Sequence, residues 1–279
     1  MTRARLVNIV WFTVNILLVA SIIAAAWCVG WEYSTRTYLR GFSDAMIPAA
    51  ATPIEKIQTI LTWMAHGPAR RDEPAVAFYR DPEETLNYRS LLTICGSATN
   101  AFVNVANTSG LSARRLLLLG PDRTANHVVA EVYIDDKWIV VDPSFHFIPR
   151  GPAGQFLTRQ DLADPEIFRY ATQNVPNYNP TYNYDMTSHI RLARIPVIGR
   201  FLRFTLNRFS TDWSDSVFLS LLIERQSLAA AVLSVFLMIF FLGLRFWLRH
   251  FSEARLGIPL LHFRERIRRA FRTLLHEPS

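Results

Sequence analysis

Two cysteines in 279 residues, Cys28 and Cys95, exclude a disulfide framework. Cys28 lies inside an uncharged apolar run, and a bond between the two would tie that run to the interior of a folded domain. Cys95 is therefore expected as a free thiol. Zinc ligands are equally scarce. Asp142, His146 and His127 come nearest to a ligand set, but no further Cys or His falls at ligand spacing, so no metal or cofactor is expected. Acidic residues are outnumbered, 23 Asp and Glu against 30 Lys and Arg, for a net charge of +7. The basic residues form neither a groove-reading helix nor an RNA surface interleaved with aromatics, so nucleic acid is not the expected partner.

Charge is missing altogether from residues 6–30 and 228–244. At roughly 1.5 Å per residue, the first run exceeds a hydrocarbon thickness of roughly 30 Å, and the second reaches span length with Phe246, Trp247 and Leu248 beyond a snorkelling Arg245. A cleaved leader is the rival reading of the first run, with Ala24-Ala25-Ala26 as its cleavage site. A retained anchor is favoured because the run is longer than a leader's apolar stretch. Asn8 and Asn15, seven residues apart on one helix face, could meet another helix. Arg3 and Arg5 precede the first run, and arginines dominate residues 249–279. Positive charge beside both spans places both termini in the cytoplasm and the middle of the chain outside it, in a bacterium the periplasmic side of the inner membrane. Within that tail, positions 260, 263, 267, 271 and 274 are an apolar stripe, the pattern of a helix lying on an anionic membrane face. Residues 195–209, where arginines alternate with bulky apolar side chains, read as a second interfacial helix.

The chemistry-bearing stretch is residues 91–143. Cys95 precedes a helical run, His127 stands 32 residues later at the opening of a strand, and Asp142 closes the next strand after 15 more. A two-residue turn at Asp135-Asp136 would pair Ile134 with Lys137, Tyr133 with Trp138 and Val129 with Asp142. His127 then lies diagonal to Asp142 on one face, roughly 7–8 Å away at Cα, within reach of a carboxylate. Val128, Ala130, Val132, Ile134, Ile139 and Val141 fall on the opposite face as an apolar row. A helix from Cys95 to Asn107, ended by Gly110, would hold the thiol in its first turn. There, unpaired N–H groups and the helix dipole favour thiolate and could hold an oxyanion. The order is nucleophile, base, orienter.

Cys95, the 110–114 step Gly-Leu-Ser-Ala-Arg, His127 ahead of Glu131-Val132, and Trp138 ahead of Asp142-Pro143 together resemble the core of the transglutaminase-like superfamily, whose members share a papain-like thiol fold. This chain has Thr93 and Val129 where that family often has glycine and an aromatic residue. The resemblance implies Cys95 as nucleophile, His127 as general base and Asp142 as the residue that orients it. It implies a thiol enzyme that forms an acyl-enzyme on an amide and passes it to water or to an amine. The substrate would be a peptide, a protein or an amide-bearing envelope glycan, and a membrane-protein partner is open. The Cys95 N–H supplies one oxyanion donor; Asn87, Tyr88 and Arg89 are the nearest candidates for a second. The reading from another class is a transglutaminase-like binding or assembly module without activity, and a third is a core cysteine with a fortuitous His and Asp.

The expected architecture is α+β. It comprises a transmembrane anchor over 1–30, a papain-like domain over 31–190 with strands near 114–119, 127–134 and 137–142, and an amphipathic segment over 191–226. A second span over 227–248 and a basic tail over 249–279 follow. Residues 54–66 carry a helical apolar stripe and read as a core helix. Residues 67–87 read as a charged, proline-containing loop whose Arg70, Arg71 and Arg80 could select an acidic substrate. Residues 149–190, rich in Pro, Asn and Tyr, read as irregular cover with one short helix near 158–163.

Overall fold

Asp135 and Asp136 set the register of the sheet. Both have positive φ, 48° and 61°, as a two-residue type I′ turn requires. The turn joins β2 (Ala125–Ile134) to β3 (Lys137–Val141), with Ile134 opposite Lys137, Tyr133 opposite Trp138 and Ala130 opposite Val141, the expected pairing. β1 (Ala113–Leu119) runs antiparallel along the other edge of β2. A two-residue β4 (Thr187–Ser188) completes an all-antiparallel sheet in the order β3-β2-β1-β4. The computed structural model describes residues 3–68, 81–190, 204, 208, 213–258 and 260.

Strand alternation sends two rows of side chains to two cores. Ala130, Val132, Ile134, Ile139 and Val141 pack with the buried face of α5 (Cys95–Thr108), including Phe102, Val103 and Val105. The same core takes Ile57, Ile60, Leu61 and Met64 of α2 (Pro53–His66), the apolar stripe read from sequence. Phe102 is fully enclosed, and such burial contributes about 2–3 kcal/mol. The opposite row, Leu116, Leu118, Val129 and Val140, is covered by Leu157, Leu162, Phe168 and Tyr184. β2 is thus buried at both parities from His127 to Val132.

Local chemistry ends these helices cleanly. Thr52 and Glu55 form a capping box at the start of α2. α5 closes on Gly110, whose φ of 87° allows Leu111 N–H to reach Ala106 O and Gly110 N–H to reach Asn107 O, a Schellman motif.

Several elements depart from the sequence expectation. The first helix, α1, continues from Arg3 to Met46 without stopping near Gly30, because no proline interrupts the chain until Pro48. Part of the expected 67–87 loop is helical: α3 (Pro82–Asn87) is capped by Asp81 with Pro82 in its first turn, where a missing N–H costs nothing. A four-residue α4 (Arg89–Leu92) follows it. Beside the expected short helix, α6 (Arg159–Leu162), stands a second, α7 (Pro165–Thr172), started in the same way by Asp164 and Pro165. α8 (Val217–Glu224) and α9 (Gln226–Arg255) complete the described chain. Arg70, Arg71 and Arg80, most of residues 195–209, and the tail stripe beyond Leu260 lie outside the described residues.

The chain divides into two units. Glu32–Ala229 holds the sheet and α2 to α8. The other holds the chain before Glu32 and from Ala230 onward, where α1 and α9 are both long and apolar enough to cross a membrane. Most of their large side chains, among them Leu6, Ile9, Phe12, Ile23, Trp27, Phe236 and Phe240, are exposed, as a lipid-facing surface requires. Asn8 and Asn15 donate to the carbonyls four residues back on their own helix, Ala4 O and Trp11 O. The Arg245 guanidinium stands 5.6 Å from the Trp11 ring centroid.

Candidate active site

His127 and Asp142 meet where the expected hairpin places them. Nε2 of His127 lies 2.7 Å from Oδ2 of Asp142, and the two residues are 2% and 0% exposed. That contact leaves Nδ1 as the other ring nitrogen, and Cys95 lies close enough to the imidazole for each group to shift the other's proton affinity. Cys95 is the first residue of α5 and is only partly buried. Ile94 enters the helix in an extended conformation and provides no side-chain cap, so the first-turn N–H groups are not taken by a capping side chain. Thr99 Oγ1 donates to Val128 O at 3.0 Å and pins this end of the helix to β2.

Electrostatics favour the charge-separated pair. Burial raises the Cys95 thiol, but the hydrogen bond and charge of His127, with the N–H groups of Val128 and Gly96, bring it below the ordinary thiol range. Burial pulls His127 down; Asp142 and Cys95, as hydrogen-bond acceptors for the ring and as negative charges beside it, outweigh that and raise it to about 9. The arrangement can hold a thiolate beside an imidazolium at neutral pH.

Asp142 is built in from every side. Oδ2 also accepts the Tyr178 hydroxyl at 3.1 Å, while Oδ1 accepts Ser144 Oγ at 2.8 Å and the backbone N–H groups of Ser144 and Phe145. Burial, then Tyr184 and Asp142, push the Tyr178 phenol far above its ordinary range, so it remains a donor. Three aromatic rings enclose the imidazole. Tyr182 stacks on it with centroids 4.2 Å apart at 4°, and Phe145 and Tyr178 stand edge-on at 5.8 and 6.1 Å. Sequence reading placed the 178–184 tyrosines in a cover segment without assigning them to His127. Their density was the available signal, but nothing local says which ring folds back onto which residue. His146 is not drawn into this group; it faces a cavity beside α2. Of the second oxyanion candidates, Asn87 directs its amide to Glu83 O.

Two buried polar networks hold the surrounding elements. On β1 and β2, Arg114 Nε pairs with Glu131 Oε2 at 2.8 Å beneath the Trp138 ring. His189 bridges Glu131 at 2.7 Å and Asp215 at 2.9 Å, tying the chain beyond β4 to the sheet. Behind α5, Asn100 donates to Glu224, whose carboxylate also takes Arg115 at 2.6 Å. Asn104 Oδ1 accepts Arg225 at 2.7 Å, and Arg225 and Ser227 both bond Glu32. The helix that carries Cys95 is therefore fixed to β1, to the α8–α9 junction and, through Arg225, to Glu32.

Residues 40–143 match the family model described as the Transglutaminase-like superfamily, a span that encloses Cys95, His127 and Asp142. No curated protein and no solved structure matches the chain.

Proposed function

From the match of residues 40–143 to the Transglutaminase-like superfamily model we propose that the chain is a membrane-tethered thiol enzyme acting on amide bonds. The family is usually cysteine-based in its chemistry. The observation that carries the proposal is the 2.7 Å contact of His127 with a fully buried Asp142, with a partly exposed Cys95 close enough to the same imidazole to raise its proton affinity.

The Cys95 thiolate attacks the amide carbonyl carbon, and the charge developing on oxygen is met by the Cys95 N–H at the start of α5. His127 protonates the leaving amine, the C–N bond breaks, and a thioester to Cys95 remains. His127, now neutral, takes a proton from water or from an acceptor amine, which attacks the thioester and returns the thiol. Asp142 fixes the ring so that Nδ1 faces sulfur throughout, and Tyr178, Ser144 and Phe145 hold Asp142. The two apolar helices tether the domain, with both termini on the cytoplasmic side and the domain on the other. The arginines flanking the apolar runs support that orientation, and reporter fusions to each terminus test it.

The chemistry is tested on the full chain in its native membrane with an electrophilic thiol probe. Cys95 should label much faster than the thiol of the unfolded chain, and His127→Ala should abolish the difference while thermal unfolding persists. Labelling no faster than the unfolded control sinks the enzyme reading and leaves a binding module. With a reactive amide, added amine that diverts product from acid to amide identifies a transamidase.

A further inference from the structure

Between α2 and the segment that follows β3 lies a cavity of about 310 Å³. Gln58, Thr62 and His66 line it from the helix, and His146 and Arg150 from the facing segment. All five can donate hydrogen bonds, and among the described residues no carboxylate lines this cavity. Arg150 is held in place by a 3.2 Å bond to Gly154 O and by the Phe156 ring 4.3 Å beneath its guanidinium. A second cavity of about 440 Å³ shares Gln58, Thr62 and His66 and adds the apolar surfaces of Met46 and Trp63; Glu55 also lines it, its carboxylate accepting the Thr52 N–H of the capping box.

The backbone at His146 is a second, separate observation. Its φ is 56°, a region glycine enters freely and a β-carbon disfavours, yet an imidazole is kept there and lines the cavity. The turn that carries it is closed by paired bonds between Asp142 and Phe147, N–H to O at 2.9 and 3.1 Å. Within that turn Phe145 sits against His127 and His146 against the cavity.

We infer that this cavity binds an anionic group, a carboxylate or phosphate, with Arg150 and His146 as its principal donors and the Met46–Trp63 surface as a groove for the apolar part of the same ligand. Charge complementarity carries the choice: the Arg150 guanidinium beside the Gln58, Thr62, His66 and His146 donors, with no acid among the described lining residues of the first cavity, fits an anion. The ligand is positioned on the turn that orients Asp142, so its binding and the order of the His127 contact are linked. That second clause rests on the proposed chemistry; the binding itself does not.

Binding is measured by calorimetry on the full chain in detergent micelles, with three probes: inorganic phosphate, a hydrophobic dipeptide with a free carboxylate, and its C-terminal amide. The expected result is binding of the dipeptide, loss of at least about tenfold in affinity for the amide, and a similar loss in Arg150→Gln, as removal of one charged hydrogen bond implies. Competition by phosphate assigns the shared anion chemistry, and phosphate binding without the dipeptide, lost in Arg150→Gln, assigns a phosphate-bearing ligand. His146→Gly relieves the backbone and removes the ring, so it should weaken binding while Tm stays level or rises; a merely structural histidine would show the reverse. Cys95→Ala should bind as the unaltered chain does, whatever becomes of the enzyme reading. Equal affinity for acid and amide together with no phosphate binding, or unaltered affinity in Arg150→Gln and His146→Gly, overturns the inference.

Discussion

Removing the Asp142 carboxylate as Asp142→Asn should unmake the thiolate at Cys95 without touching sulfur. Burial is the largest single influence on His127, and Asp142 and Cys95 together outweigh it to hold the ring at about 9; without Asp142, burial draws the ring down and the thiol loses its cationic partner. The size of the effect has a ceiling. An ordinary thiol of pKa about 8.5 is about 3% ionised near pH 7, so a fully formed thiolate reacts at most about thirtyfold faster, and less once the lower nucleophilicity of a low-pKa thiolate is counted. The assay is the rate of alkylation against pH in a Cys28→Ala background, where Cys95 is the single thiol. The parent should alkylate on a plateau that begins below the ordinary thiol range. Asp142→Asn and His127→Ala should fall on the neutral side and titrate at or above that range, because burial of Cys95 remains. Folding stability follows with a defined sign. A histidine raised from 6.5 to about 9 stabilises the fold fully below pH 6.5 and loses that contribution as pH climbs through 9. At about 1.4 kcal/mol per factor of ten in proton affinity, this is at most about 3.5 kcal/mol. Cys95 offsets part of it, since its lowered pKa stabilises at high pH and fades as pH falls. Equal alkylation profiles in parent and Asp142→Asn would refute the reasoning.

Tyr178→Phe keeps the ring packing and removes one donor to Asp142 Oδ2, so about 1 kcal/mol, a several-fold loss in Cys95 alkylation with little change in Tm, is expected from paired kinetic and thermal measurements. Glu224→Ala strips the buried carboxylate from Arg115 and Asn100 and should destabilise the domain by about 3–5 kcal/mol in denaturant unfolding, far more than an exposed pair such as Arg249–Glu253. Asp136→Gly, at a φ of 61° in the hairpin turn, should leave the register intact and raise stability by up to about 1 kcal/mol, seen as a higher denaturation midpoint.

Much of the fold was legible locally because its rules are local. Alternation in 125–141 with two aspartates able to take positive φ defines one hairpin register, and that register alone puts His127 near Asp142. The spacing of Ile57, Ile60, Leu61 and Met64 marks a helix with one buried face, and Gly110 marks where α5 ends. Proline misled the reading at Pro82 and Pro165, where it starts a helix behind an Asp cap instead of punctuating a loop. The long α1 was missed because the change from apolar to mixed composition at Trp31 marks a change of solvent, and a helix crosses such a change freely.

By itself the sequence determined the secondary structure around the thiol, the hairpin that brings imidazole to carboxylate, and two uncharged runs long enough for a bilayer, since each follows from periodicity or turn chemistry over a few residues. Only the tertiary structure decided that Tyr178 bonds Asp142 and Tyr182 stacks on His127, that Asn100 and Asn104 anchor the Cys95 helix to Glu224 and Arg225, and that Arg150 and His146 face one cavity. Those contacts join residues up to 124 positions apart. Aromatic and amide side chains have many equivalent partners in a sequence, and which one they meet is set when the whole chain packs to exclude water.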